Sequence, residues 1–188
     1  RSNSGVLVIT VFMSDKPNGN DFTCQWDCSF CPSEPGQPKS YLSDEPGVQR
    51  GKRNNFDPIT QFNERASTHF INGHTVDKIE VLILGGTFHS YPVSYRQDFI
   101  TKLLYSANTF FDTKKREMGT LRKEVLANEE AIVKIIGITI ETRPDCINKE
   151  TLKELRMLEV TRIQMGLQHT SNAVLKRNNR GHQLRHAI

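Results

Sequence analysis

Apolar residues along the chain follow two rhythms. Gly5 to Met13 (GVLVITVFM) is an unbroken apolar, β-branched run, and Lys78 to Leu84 (KIEVLIL), Ile135 to Glu141 (IIGITIE) and Arg162 to Gln168 (RIQMGLQ) are similar. Short runs of this kind read as buried strands. Between them, apolar positions recur at helical spacing. Asp57 followed by Pro58 marks a helix start, and the helix runs to about Ile71 before Asn72–Gly73 stops it. Ser94 opens a second helix to about Ala107, Leu121 to Lys134 keeps the helical period, Asn148 caps a helix to about Leu158, and Ser171 opens a short one to about Lys176. Strands alternating with helices predict an α/β fold built on a parallel sheet.

Two stretches break the rhythm. Asp112 to Gly119 is charged and reads as a loop. Ser14 to Asn55 is rich in Gly, Pro, Ser, Asp and Asn, and loops of such length in compact domains are usually functional. Right-handed crossovers bring the C-terminal ends of parallel strands to one edge, where such sheets bind ligands. Every unusual motif falls at that edge. The cysteine-bearing loop follows the first strand, Gly85-Gly86-Thr87-Phe88 the second, Glu141-Thr142-Arg143-Pro144-Asp145 the third and Gln168-His169 the fourth. That coincidence predicts one composite site.

Composition narrows the class. With 188 residues, 36% hydrophobic and 24% charged, the chain suits one domain with one core. It has no run approaching the roughly 20 apolar residues of a spanning helix. No secretory pattern opens it, so a cytoplasmic location is expected. It begins with Arg1, which suggests a piece of a longer protein. A net charge of +4 permits nucleic-acid binding without arguing for it. The basic clusters at Arg50, Lys52 and Arg53, at Lys114, Lys115 and Arg116, and at Lys176, Arg177 and Arg180 are more often solvated faces than binding sites.

The cysteines carry the sharpest signal. Three of the four lie in Cys24-Gln-Trp-Asp-Cys28-Ser-Phe-Cys31, too close together for a disulfide framework, while Cys146 stands alone. Three thiolates at this spacing can hold three irons of a 4Fe–4S cube and leave the fourth iron open to a small molecule's amine and carboxylate. A structural zinc site is the competing reading. It needs a fourth ligand, from Cys146 or a histidine. Gly85 and Gly86 permit close backbone approach to a ligand, or form only a tight turn. Glu141 suits a ribose diol, or else a salt bridge with Arg143 or a lysine. Gln168 suits a hydrogen bond to a bound cofactor, or is a polar rim residue. Arg180 suits bidentate pairing with a carboxylate, or is a surface arginine. His89, His169 and His182 fall in these loops without an assigned role, and Tyr41 and Tyr91 are candidates for substrate contact.

The C-x3-C-x2-C spacing with an aromatic before the last cysteine resembles the radical S-adenosylmethionine superfamily. That resemblance implies a TIM-like partial (β/α) barrel, here about four parallel strands with a long cluster-binding loop after the first. It implies a 4Fe–4S cluster on Cys24, Cys28 and Cys31, Phe30 near the adenine of S-adenosylmethionine, and Gly85, Gly86 and Thr87 at its amino group, with Glu141, Gln168 and Arg180 completing the cradle. The porphyrin-forming relatives share part of this pattern, so a tetrapyrrole substrate stays open, as does a non-catalytic RNA-binding scaffold.

A narrower resemblance covers nearly the whole chain. Arg1-Ser-Asn-Ser-Gly-Val6, Asp57-Pro58, His74-Thr-Val-Asp-Lys-Ile-Glu80, Gly85-Gly-Thr-Phe88, Ile136-Gly-Ile-Thr-Ile-Glu-Thr-Arg-Pro-Asp145 and Asn179-Arg-Gly-His182 look like the catalytic subunit of Elongator. This implies action on transfer RNA at the anticodon stem-loop. There, S-adenosylmethionine cleavage leads to a carboxymethyl group on carbon-5 of the wobble uridine, drawn from acetyl-CoA. It also implies an electron donor, other Elongator-type subunits as partners and an acetyltransferase domain that is absent from residues 1–188. The first two cysteines are closer together than is common in that family.

Overall fold

In a computed structural model, residues 4–21 and 24–188 are described, so the first three residues of the opening motif lie outside the described residues. The apolar runs form β1 (Leu7–Phe12), β2 (Lys78–Leu84), β3 (Lys134–Thr142) and β4 (Arg162–Met165). They make one parallel sheet in the order β1-β2-β3-β4. Each successive strand adds at the same side, as repeated right-handed crossovers require. The sheet is the open wall of a partial barrel, with β1 and β4 as its edges.

Among the described residues five α-helices join the strands, α1 (Pro46–Arg53), α2 (Pro58–Ile71), α3 (Val93–Asn108), α4 (Leu121–Glu130) and α5 (Lys149–Met157), and α6 (Asn172–Arg177) follows the last strand. Their starts are chemically marked. The Asp57 carboxylate accepts from the Thr60 N–H at 2.9 Å, with Pro58 at the first helical position. Asn148 and Thr151 form a reciprocal capping box on α5.

The strand runs read as wholly buried, but only one sheet face is sealed. Leu7, Ile9 and Val11 share a face with Ile79, Val81, Ile83, Ile138 and Ile140, and all are buried in one core with Phe62, Phe99 and Leu103 from α2 and α3. The opposite, concave face carries Thr10, Glu80, Leu82, Thr139, Glu141, Arg162 and Gln164. There Glu80 accepts from Thr139 at 3.0 Å and from Arg162 at 2.7 Å. Charged residues in the strands therefore face a cleft, and the alternation of period two, masked by the β-branched residues, decides which.

Three expected boundaries move. The loop from Ser14 to Asn55 contains a helix, α1, which Pro46 starts and which packs Val48 against Phe12 and Phe56 in a second small core. Gly51 gives that contact its room, since a Cβ there would stand 2.8 Å from the Phe56 ring. The helix expected to reach Lys134 ends at Glu130, because the chain turns extended at Ala131 to bury Val133 and enter β3. The fourth strand stops at Met165; Gly166 N–H still donates to the Thr142 carbonyl of β3 at 3.1 Å, and the chain leaves the sheet after it, with Gln168 at φ +73°. Two of the basic clusters are tied into the fold: Arg53 pairs with Glu64 at 2.8 Å, and Arg116 pairs with the fully buried Glu124 at 2.6 Å.

Candidate functional site at the C-terminal edge of the sheet

Beyond the strand ends lies a cavity of about 340 Å³, within the usual range for small-molecule sites. Gly86 and Thr87 after β2, Glu141 at the end of β3, and Gln168 and Arg180 all line it. Five of the seven expected cofactor-binding residues thus converge on one space. Gly85 and Phe30 lie outside the cavity lining, and Phe30 is 46% exposed with its ring centroid 6.0 Å from the Arg180 guanidinium carbon.

The glycine pair is more than a turn. Gly85 and Gly86 take φ +143° and +86°, which disfavour side chains. A Cβ on Gly86 would approach the Lys39 carbonyl oxygen to 3.0 Å, and one on Gly85 would meet the Tyr91 hydroxyl at 2.9 Å. Tyr91 is buried and donates to the Gly85 carbonyl at 2.9 Å, so it shapes the turn and does not face the cavity. The Tyr41 hydroxyl donates to the Glu141 carboxylate at 2.6 Å, and the backbone N–H groups of Gly85 and Gly86 favour its charged form. Burial pushes the Glu141 carboxyl above its ordinary value, against the pull of those donors. Glu141 does not pair with Arg143. It is a buried acceptor on the cavity wall, and Tyr41, itself a lining residue, is its partner across the loop.

Each thiol of the cysteine loop has its own surroundings. Cys24 Sγ lies 3.9 Å from Thr87 Oγ1 and 4.0 Å from Ser90 Oγ. Cys31 Sγ lies 2.9 Å from Ser40 Oγ. Cys28, 5% exposed, accepts from Arg180 Nη1 at 3.6 Å and from Arg143 Nη1 at 3.7 Å. Among the described residues no three His, Cys, Asp or Glu side chains stand close enough to share one metal ion, so the sulfurs share a loop without forming a ligating triangle. The donor set itself, three thiols beside a cavity with glycine-backed walls, fits an iron–sulfur cluster with one open iron. Cys146 sits on the turn after β3, and its thiol is pushed up by burial and then by Asp145.

Arg180 is no surface arginine. It is 8% exposed, donates Nη2 to the Gly166 carbonyl at 2.6 Å, and leaves its buried Nε without a hydrogen-bond partner among the described residues. Sequence reasoning missed Arg143, which is 1% exposed and holds Asp145 through Nε at 2.9 Å and Nη2 at 3.1 Å. Its position before Pro144 favours extended backbone, but nothing in the run marked it as the hub of a network. His89 donates to or accepts from Thr142 at 2.8 Å, and burial followed by Arg96 pushes it down to about 4.

The sequence profile of the Radical SAM superfamily matches residues 22–188. The chain is 34% identical to a tRNA uridine(34) acetyltransferase of Methanocaldococcus infernus over 100% of its own length and 34% of that protein. It is 32% identical to Elongator complex protein 3 of Saccharomyces cerevisiae, over 98% of this chain and 33% of the relative. The solved structure of the archaeal Methanocaldococcus infernus Elp3 with an N-terminal deletion superposes with a TM-score of 0.72 at 28% identity, covering 97% of this chain and 33% of that one. The chain thus spans about a third of the length of these relatives.

Proposed function

The chain belongs to the radical SAM superfamily, and from that premise we propose that it is the S-adenosylmethionine-cleaving core of an enzyme that carboxymethylates the wobble uridine of transfer RNA. Membership brings with it a 4Fe–4S cluster and S-adenosylmethionine as cofactors. When bound, the cluster supplies one electron for reductive cleavage of the sulfonium. Cys24, Cys28 and Cys31 are the residues that would hold it.

The observation that carries the reading is the convergence of Gly86, Thr87, Glu141, Gln168 and Arg180 on one cavity beside the cysteine loop. In this reading Glu141 accepts hydrogen bonds from a ribose diol, taking over from the Tyr41 hydroxyl that now occupies it. In this reading Gly85, Gly86 and Thr87 bring backbone groups to the amino end of the ligand, in a turn whose packing against Tyr91 and Lys39 excludes side chains at both glycines. The buried Arg180 Nε supplies a donor for a carboxylate, and Gln168 completes the rim. Phe30, already beside Arg180, offers a ring face for the adenine.

The relatives named for tRNA uridine(34) acetylation and for Elongator support the substrate. The reading places acetyl-CoA on an acetyltransferase domain beyond this core, in a cytoplasmic assembly with an electron donor and other Elongator-type subunits. Among the described residues no helix is long and apolar enough to cross a membrane.

Anaerobically reconstituted protein is expected to bind a transfer RNA anticodon stem-loop with an affinity that falls as salt rises, and to form 5′-deoxyadenosine under reduction. Turnover of S-adenosylmethionine without stem-loop binding would sink the transfer RNA assignment and leave the cofactor reading standing.

A further inference from the structure

We infer that Arg143 is a positioning residue that, together with Arg180, sets the charge at the Cys28 corner of the site and thereby the reduction potential of the cluster held there. This rests on the proposed cluster site and adds to it an inequality among the three ligands. Among the described residues Cys24 and Cys31 meet hydroxyl groups and a backbone carbonyl within hydrogen-bond reach, from Thr87, Ser90, Ser40 and Pro32. Cys28 alone meets two guanidinium groups, at 3.6 and 3.7 Å.

Arg143 is held for that task from three sides. Asp145 takes its Nε and Nη2 in a bidentate pair. The Arg180 backbone carbonyl accepts from Nη2. The Trp26 ring lies 4.7 Å from its guanidinium carbon. Nη1 is left to point at Cys28. The same side chain therefore joins the cysteine loop, the end of β3 and the Arg180–His182 turn. Hydrogen bonds and positive charge at a ligating sulfur stabilise the more negative, reduced cluster, and so raise its potential. Asp145 opposes this by cancelling part of the Arg143 charge.

The test is an EPR-monitored redox titration of the reconstituted holoprotein, run beside iron and sulfide analysis, for the parent, Arg143→Gln, Arg143→Lys and Asp145→Asn. Arg143→Gln is expected to move the midpoint to more negative potential at parental iron content. Arg143→Lys keeps the charge without the fork and falls between the two. Asp145→Asn, which leaves the guanidinium but removes its counter-charge, moves the midpoint the opposite way. A fully loaded Arg143→Gln protein at the parental potential overturns the inference and leaves the cluster reading intact. If Arg143→Gln takes up no iron, Asp145→Asn decides alone, and an unmoved midpoint there overturns it. A parent chain that takes up no cluster overturns both.

Discussion

Replacing any one of Cys24, Cys28 or Cys31 with alanine is expected to reduce bound iron from about four per chain to background, whereas Cys146→Ala keeps it, read by iron and sulfide analysis with the visible absorption of the reconstituted protein. The reasoning is one of ligand count. A cube with three protein thiolates has no spare ligand, so each loss is total. The three are not equal in the bare fold. Cys28 is buried and already clasped by Arg143 and Arg180, while Cys24 and Cys31 are half-buried beside hydroxyls. Cys146 is engaged elsewhere. Burial and then Asp145 push its thiol above the ordinary value, and it sits on the turn after β3, away from the loop that carries the other three. Loss of metal in Cys146→Ala would instead indicate a four-ligand site of the zinc kind.

Gly181→Ala is expected to destabilise the chain by about 2–4 kcal/mol, combining the left-handed backbone cost with overpacking. Gly181 has φ +79°, and an added Cβ would overlap the Trp26 ring. Trp26 is no flexible neighbour, since its ring also covers the Arg143 guanidinium. The clash would pass directly into the network under Cys28. Gly73→Ala is the matched control: φ is also +79°, but nothing lies within 4 Å of its Cβ position. It should show only the backbone part, about 1 kcal/mol. Denaturant midpoints of the two variants check this, and equal losses would mean that the Trp26 contact contributes nothing.

The sequence made legible what depends on local pattern. The Asp57-Pro58 start and the Lys78–Leu84 run coincide with α2 and β2 to the residue. The edge-of-sheet placement of Gly86, Thr87, Glu141 and Gln168 followed from strand polarity, Arg180 was singled out by its chemistry, and one cavity gathers all five. What the pattern did not reveal depends on contacts distant along the chain. Helix α1 gains its stability from Phe12 and Phe56, which the Gly- and Pro-rich composition around it concealed. Arg143 read as a possible partner for Glu141, two residues away. In fact Arg143 lies past the end of β3 at Thr142, where the strand's alternation no longer sets its direction, and its partners are Asp145, Cys28, Trp26 and the Arg180 carbonyl. Glu141 in turn found Tyr41, a hundred residues earlier.

The central claim is a cluster with one open iron beside a cavity shaped for S-adenosylmethionine. EPR of the reduced, reconstituted protein with and without S-adenosylmethionine tests it most directly. A reduced 4Fe–4S signal whose shape changes when the cofactor is added is the predicted result. A signal unaltered at saturating cofactor, or a bound metal that gives no cluster signal, would contradict it.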